Sequence, residues 1–160
     1  ERGGADFIVL CTNTMHKLAD QIIANVNIPF LHIADATAEK IKATGIKKIG
    51  LLGTRFTMEH DFYKGRLINN FGLDVLIPNE ADREIIHRVI YDELVLGKIV
   101  DASREEYKRI MAALIAQGAE GIILGCTEIE LLVKQGDSRV LLFPTTSIHA
   151  VSAVEYALKD

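Results

Sequence analysis

The chain has 160 residues, is 49% hydrophobic and 25% charged, and carries a formal net charge of −4. That composition supports one domain or two small lobes around a true core, and it argues against a nucleic-acid partner, which needs a basic face. No apolar run nears the ~18 residues of a membrane span and no segment reads as a signal peptide; the two cysteines suggest neither a disulfide framework nor a zinc site, so a cytoplasmic setting is expected.

The chain opens Glu1-Arg2-Gly3-Gly4, without an initiator Met, and enters an apolar strand almost at once, which predicts a fragment of a longer protein. Residues 7–11 form a short apolar run, read as a buried strand. Residues 15–26 carry Leu18, Ala19, Ile22 and Ile23 at helical spacing. A second strand is expected at 29–33, then a helix at 34–44 closed by Gly45. A strand at 49–52 runs into Gly53-Thr54, a helix at 59–71 stops at Gly72, and a strand at 75–77 stops at Pro78. Long helices follow near 80–96 and 102–117, the second ended by Gly118. A strand at 122–124, a helix from 128 to 134, a strand at 140–143 and a final helix at 147–158 complete the pattern.

Strands that alternate with helices predict an α/β fold of parallel sheets with helices on both faces. Ligands in such folds sit beyond the carboxyl ends of the strands. That rule points to Thr12-Asn13-Thr14, Gly53-Thr54-Arg55 and Gly125-Cys126-Thr127. Two of these loops end similar stretches. Gly4-Ala5-Asp6-Phe7-Ile8-Val9-Leu10-Cys11-Thr12 overlays Gly118-Ala119-Glu120-Gly121-Ile122-Ile123-Leu124-Gly125-Cys126 without a gap. One reading is that buried strands after a turn look alike. The other is a repeated unit facing a shared cleft, with Thr12 matched to Cys126 and Cys11 sent to a different side by strand alternation.

A residue between a strand and a helix lies near unsatisfied N–H groups and a positive dipole end. A cysteine there is expected to have a lowered pKa, and the same N–H groups can hold a carboxylate. Two such groups on opposite sides of one carbon can remove a proton and return it to the other face. Taken singly, Cys126 could be a small buried hydrophobe and Thr12 a helix N-cap, while Cys11 is expected in the core.

Leu10-Cys11-Thr12-Asn13-Thr14-Met15-His16 and Gly125-Cys126-Thr127-Glu128 resemble the paired signature motifs of the aspartate/glutamate racemase family. The likeness continues through Phe30-Leu31-His32-Ile33-Ala34-Asp35-Ala36-Thr37 and Leu51-Leu52-Gly53-Thr54-Arg55-Phe56-Thr57. It is greatest for the enterobacterial branch specific for L-aspartate and L-glutamate, with hydantoin racemases and related decarboxylases in the same superfamily. The resemblance implies a cofactor-independent racemase, without pyridoxal phosphate or metal, acting on a small amino acid as a homo-oligomer. It implies catalytic roles for Thr12 and Cys126. The family's first motif usually has cysteine where this chain has Thr12, so the two faces are expected to be unequal, with Cys126 serving the L-enantiomer. Asn13, Thr14, Thr54, Thr127 and Glu128 are implied as substrate-binding. A two-lobed fold follows, with an incomplete first lobe at 1–32 and 137–160 and a second lobe at 33–136. The rival class is a non-catalytic α/β ligand-binding domain, which would open Thr12 and Cys126 onto separate surfaces.

Other residues carry weaker signals. His16 could orient substrate or merely cap a helix. His32, His60, His87 and His149 are expected to be structural or on the surface. Arg55 could meet a distal carboxylate or be a surface arginine.

Overall fold

The computed structural model describes residues 1–159. The chain forms β1 (Ile8–Val9), a 3-10 segment (Thr14–Leu18), α1 (Ala19–Ile23), β2 (Phe30–Leu31) and α2 (Ile33–Lys42). It continues through β3 (Lys48–Gly53), α3 (Arg55–Glu59), α4 (Lys64–Phe71), β4 (Asp74–Leu76), α5 (Glu80–Asp92) and a 3-10 turn (Leu94–Leu96). Then come α6 (Asp101–Ala116), β5 (Gly121–Gly125), α7 (Ile129–Leu132), a 3-10 turn (Gln135–Asp137), β6 (Leu141–Pro144) and α8 (Thr145–Ala157).

All strand pairs are parallel. β1 and β2 make a two-stranded sheet, and the other four strands make a second sheet in the order β4-β3-β5-β6. From β3 the chain steps one way to β4, then crosses back to β5 and on to β6. Right-handed crossovers therefore place the connecting helices on opposite faces. The parallel α/β architecture is the one expected. Residues beyond 136 contribute β6 to the larger sheet before α8 begins.

The core lies around β3 and β5, whose Ile49, Leu51, Leu52, Ile122 and Ile123 are fully buried. Unbroken aliphatic runs suit strands covered on both faces. The Tyr107 hydroxyl donates to the Ile86 carbonyl at 3.2 Å and joins α6 to α5. Asp35 and Arg66 form a two-pronged ion pair, at 2.5 and 2.7 Å, that joins α2 to α4. Among the described residues, no helix is long and apolar enough to cross a membrane.

Several elements differ in extent from expectation. The strand foreseen at 7–11 shortens to Ile8–Val9, and the helix foreseen at 15–26 starts as a 3-10 segment. The helix foreseen at 59–71 is two helices, because the Thr54 side chain accepts from the Thr57 amide and starts α3 early. The chain then turns extended at His60 and restarts at Lys64. The helix foreseen at 80–96 stops at Asp92, and the 3-10 turn after it closes on left-handed Gly97.

Candidate active site

β3 and β5 are neighbours whose onward connections diverge, so the crevice beyond their carboxyl ends is the topological switch point. Their register pairs Gly53 with Gly125, which sets the next residues, Thr54 and Cys126, side by side. The approach is too close for larger residues. A Cβ on Gly125 would lie 2.8 Å from the Leu52 carbonyl oxygen, and one on Gly53 would lie 2.9 Å from the Gly125 carbonyl oxygen.

The loop after β1 reaches this edge from the smaller sheet. The Thr14 hydroxyl lies 3.0 Å from that of Thr54 and 3.4 Å from that of Thr57, and the last two are 3.1 Å apart. One residue earlier, Asn13 Nδ2 donates to Thr145 Oγ1 at 2.9 Å, and that hydroxyl donates to the Leu124 carbonyl at 3.0 Å. Thr14 is thus tied to the end of β3, and Asn13 to the residue after β6. β5 lies between those two strands, so the loop carrying Thr12 crosses the end of the strand that carries Cys126. Of the sequence-derived residues, Thr14 and Thr54 are joined directly at this edge and Asn13 reaches Thr145 beside it. Cys126, Thr127 and Glu128 follow β5, with Cys126 bonded to Glu128, and Thr12 is held through its backbone next to Asn13. Thr57 and Thr145 were missed. Thr57 had a legible signal, its three-residue spacing from the cap Thr54, whereas the role of Thr145 depends on contacts distant in sequence.

Asn13 is buried, and its Oδ1 has no hydrogen-bond partner. The amide orientation follows from chemistry. Thr145 spends its single proton on Leu124, so it must accept from Asn13, and only the NH2 group can donate. A buried carbonyl oxygen without a donor costs about 1–3 kcal/mol. It is an acceptor aimed at something the chain itself does not provide.

Cys126 Sγ donates to Glu128 Oε2 at 2.9 Å. Burial, reinforced by the neighbouring carboxylate, pushes the thiol pKa up to about 12. This reverses the lowered value expected from its position before a helix. The helix is short, α7 being four residues beginning three positions later, and it cannot offset burial. Burial alone would raise the Glu128 pKa, but hydrogen bonds from the Cys126 and Thr127 side chains outweigh it and hold the carboxyl below the usual range. A protonated thiol therefore faces an ionised carboxylate.

Cys11 is exposed, with only a long contact from its Sγ to the Val9 carbonyl, at 3.8 Å. This corrects its expected core position: β1 ends two residues earlier, so strand alternation no longer buries its side chain. Arg55 pairs with Glu84, and its backbone N–H donates to His87. His60 is exposed, while His16, His32 and His149 are buried together. A concavity of about 640 Å³ lies between α2 and α8 and is lined by none of Thr12, Asn13, Thr14, Thr54, Cys126, Thr127 and Glu128. Among the described residues, no three His, Cys, Asp or Glu side chains cluster as a metal site.

The Asp/Glu/Hydantoin racemase family model matches residues 1–153. The chain is 56% identical to a Yersinia pestis protein whose crystal structure carries a provisional Asp/Glu racemase assignment, with a TM-score of 0.95 over 99% of this chain and 69% of that one. It is 40% identical to an aspartate racemase homologue from Pyrococcus horikoshii, with a TM-score of 0.88 over the same shares. It is 27% identical to the broad specificity amino-acid racemase RacX of Bacillus subtilis over 96% of this chain, and spans 66% of that protein's length.

Proposed function

Because the chain belongs to the Asp/Glu/Hydantoin racemase family, we propose that its strand-end site interconverts L- and D-aspartate or glutamate by moving the α-proton, without a cofactor. The observation that carries this reading is the thiol–carboxylate pair Cys126–Glu128 beneath a loop whose buried Asn13 oxygen lacks a donor. A substrate ammonium would supply that donor. The hydroxyls of Thr14, Thr54 and Thr127 offer hydrogen bonds to the α-carboxylate, where negative charge develops as the proton leaves.

On the L side, Cys126 sulfur takes the α-proton while its own proton passes to Glu128. Cα–H and S–H bonds break, and new S–H and O–H bonds form. The substrate is then an enolate-like carbanion. On the opposite face, the Thr12 hydroxyl donates a proton to Cα; solvent water returns one to Thr12, and the hydroxide so formed takes the proton from Glu128, which restores the starting state. A hydroxyl is a far weaker acid than a thiol, so it is a poor base but can still protonate a strong carbanion. The two directions should be unequal.

The test is α-proton exchange in D2O with each enantiomer of aspartate and glutamate, with hydantoins as the other substrate class in the family's name. The L-enantiomers should exchange faster than the D, and Cys126→Ala should abolish exchange from L. Equal rates from both enantiomers would overturn the assignment of faces. No exchange from any amino acid would overturn the racemase reading.

A further inference from the structure

His16 lies in the 3-10 segment one helical turn beyond Thr12, and is 2% exposed. Its Nδ1 is 2.7 Å from the Thr12 carbonyl oxygen, and its Nε2 is 3.2 Å from the Ile33 backbone nitrogen. A carbonyl only accepts and an amide N–H only donates. The proton must therefore sit on Nδ1, with Nε2 bare. In that tautomer the neutral ring links the loop after β1 to the first residue of α2.

The surroundings hold the ring in place. His32 lies tilted against it at 4.4 Å between centroids, and Phe30 at 5.4 Å and His149 of α8 at 6.0 Å meet it edge-on. The two neighbouring histidines have partners of their own: His32 Nδ1 accepts from the Ala34 amide, and His149 Nε2 contacts the Leu31 carbonyl. The Asp35–Arg66 ion pair is the charged group nearby. Burial lowers the His16 pKa to about 4, so the ring is neutral at physiological pH.

This link is needed because β1 and β2 offer so little. Each is two residues long, and they pair only with each other. Such pairing is marginal by itself. Beyond one tight backbone bond, from the Thr12 amide to the Leu10 carbonyl at 2.9 Å, it leaves the backbone at Thr12 to be fixed by side chains, and His16 holds its carbonyl.

We propose that His16 is a positioning residue that sets the Thr12 hydroxyl over the substrate and so governs proton delivery on that face alone. The proposal rests on the reading of Thr12 as the proton donor of that face. Cys126, just after β5, has its own partner in Glu128, so the L side should be independent of His16.

The readout is the fate of L-aspartate in D2O. Exchange without inversion reports Cys126 alone, whereas inversion also needs Thr12. His16→Gln can present an acceptor towards Ile33 but loses the donor at Nδ1, whereas His16→Asn keeps a donor near that place. His16→Gln should lower the ratio of inverted to exchanged product by about 10- to 100-fold, the cost of ångström-scale misplacement, and His16→Asn should recover most of it. A merely structural histidine would slow both outcomes together; an unchanged ratio in His16→Gln overturns the proposal. Should the wild-type chain exchange nothing, the racemase reading fails separately, and the amide chemical shifts of residues 12–14 decide. Shifts moved by His16→Gln and restored by His16→Asn support positioning, and unmoved shifts overturn it. If neither variant folds, the wild-type histidine nitrogen spectrum decides: an Nε2–H tautomer at neutral pH overturns the proposal, and Nδ1–H with a bare Nε2 upholds it.

Discussion

Cys11 and Cys126 occupy opposite environments although each follows a strand. Cys11 is exposed, while the Cys126 thiol is held protonated by burial and by Glu128. Iodoacetamide at about pH 8 should therefore alkylate Cys11 first, since the thiolate is the reacting species. Glu128→Gln should speed alkylation of Cys126, because it removes the carboxylate that helps raise the thiol pKa. The same change should slow α-proton exchange from L-aspartate, because the thiol loses its proton acceptor; peptide mass spectrometry and D2O exchange check the two halves. The buried histidines predict an acid-sensitive fold. Burial holds His16 near 4 against an ordinary 6.5, and His32 at about 2. Between pH 6.5 and about 4 the unfolded chain binds protons that the folded chain refuses, so stability is complete above 6.5 and falls as pH drops. His16 alone should account for about 3 kcal/mol of that loss by pH 4. Urea denaturation across this range checks it, and His16→Asn should flatten the slope. Thr54 and Cys126 stood out in the sequence because each follows a glycine at a strand end and precedes a helix, while Thr12-Asn13-Thr14, with no glycine beside it, stood out only by its place after an apolar run and by the paired motif. The ionisation of Cys126 was not legible, because it depends on burial and on where the Glu128 side chain points.

At the scale of elements, the paired glycines 53 and 125 bring β3 and β5 close enough to align Thr54 with Cys126. Gly125→Ala would set a methyl group 2.8 Å from a backbone carbonyl that cannot move aside, and 3.1 Å from Leu51 Cδ1. The expected loss is about 1–3 kcal/mol, the usual cost of overpacking a tight interior. Chemical denaturation measures it, and exchange activity should fall further than stability alone explains. Three helices start on side-chain caps, His32 at α2, Thr54 at α3 and Asn79 at α5. Asn79→Ala should cost about 1 kcal/mol without changing exchange rates. The sequence repeat is visible here too. Gly4 and Gly118, its matched first residues, both adopt positive φ, at +83° and +98°. The strands that follow differ in length, because β5 is covered by neighbours on both edges while β1 pairs only with β2.

Across the whole molecule, the two sheets should differ in stability. β3 and β5 are almost entirely buried, while β1 and β2 are half-buried and two residues long. Amides of Ile8 and Val9 should therefore exchange with solvent well before those of residues 50–52 and 122–124, as hydrogen exchange read by NMR would show. Equal protection of both sheets would contradict this. The proposed site draws on both: Thr54, Cys126 and Thr145 directly follow β3, β5 and β6, while the loop after β1 supplies Asn13 and Thr14. Opening of the smaller sheet should lower activity before the larger sheet unfolds.

The alternation of strand and helix, the parallel α/β class and the two motif loops can be read from the residues in order. Those features are local: apolar run length, glycine stops and reactive residues at strand ends carry them within a few positions. Tertiary structure alone decided that Asn13 binds Thr145, that Thr14 meets Thr54 and Thr57, that His16 grips Thr12 and Ile33, and that Cys126 is held as a thiol. Each of these depends on strand order and register, which bring distant residues together, and on burial, which sets the charge a side chain can carry.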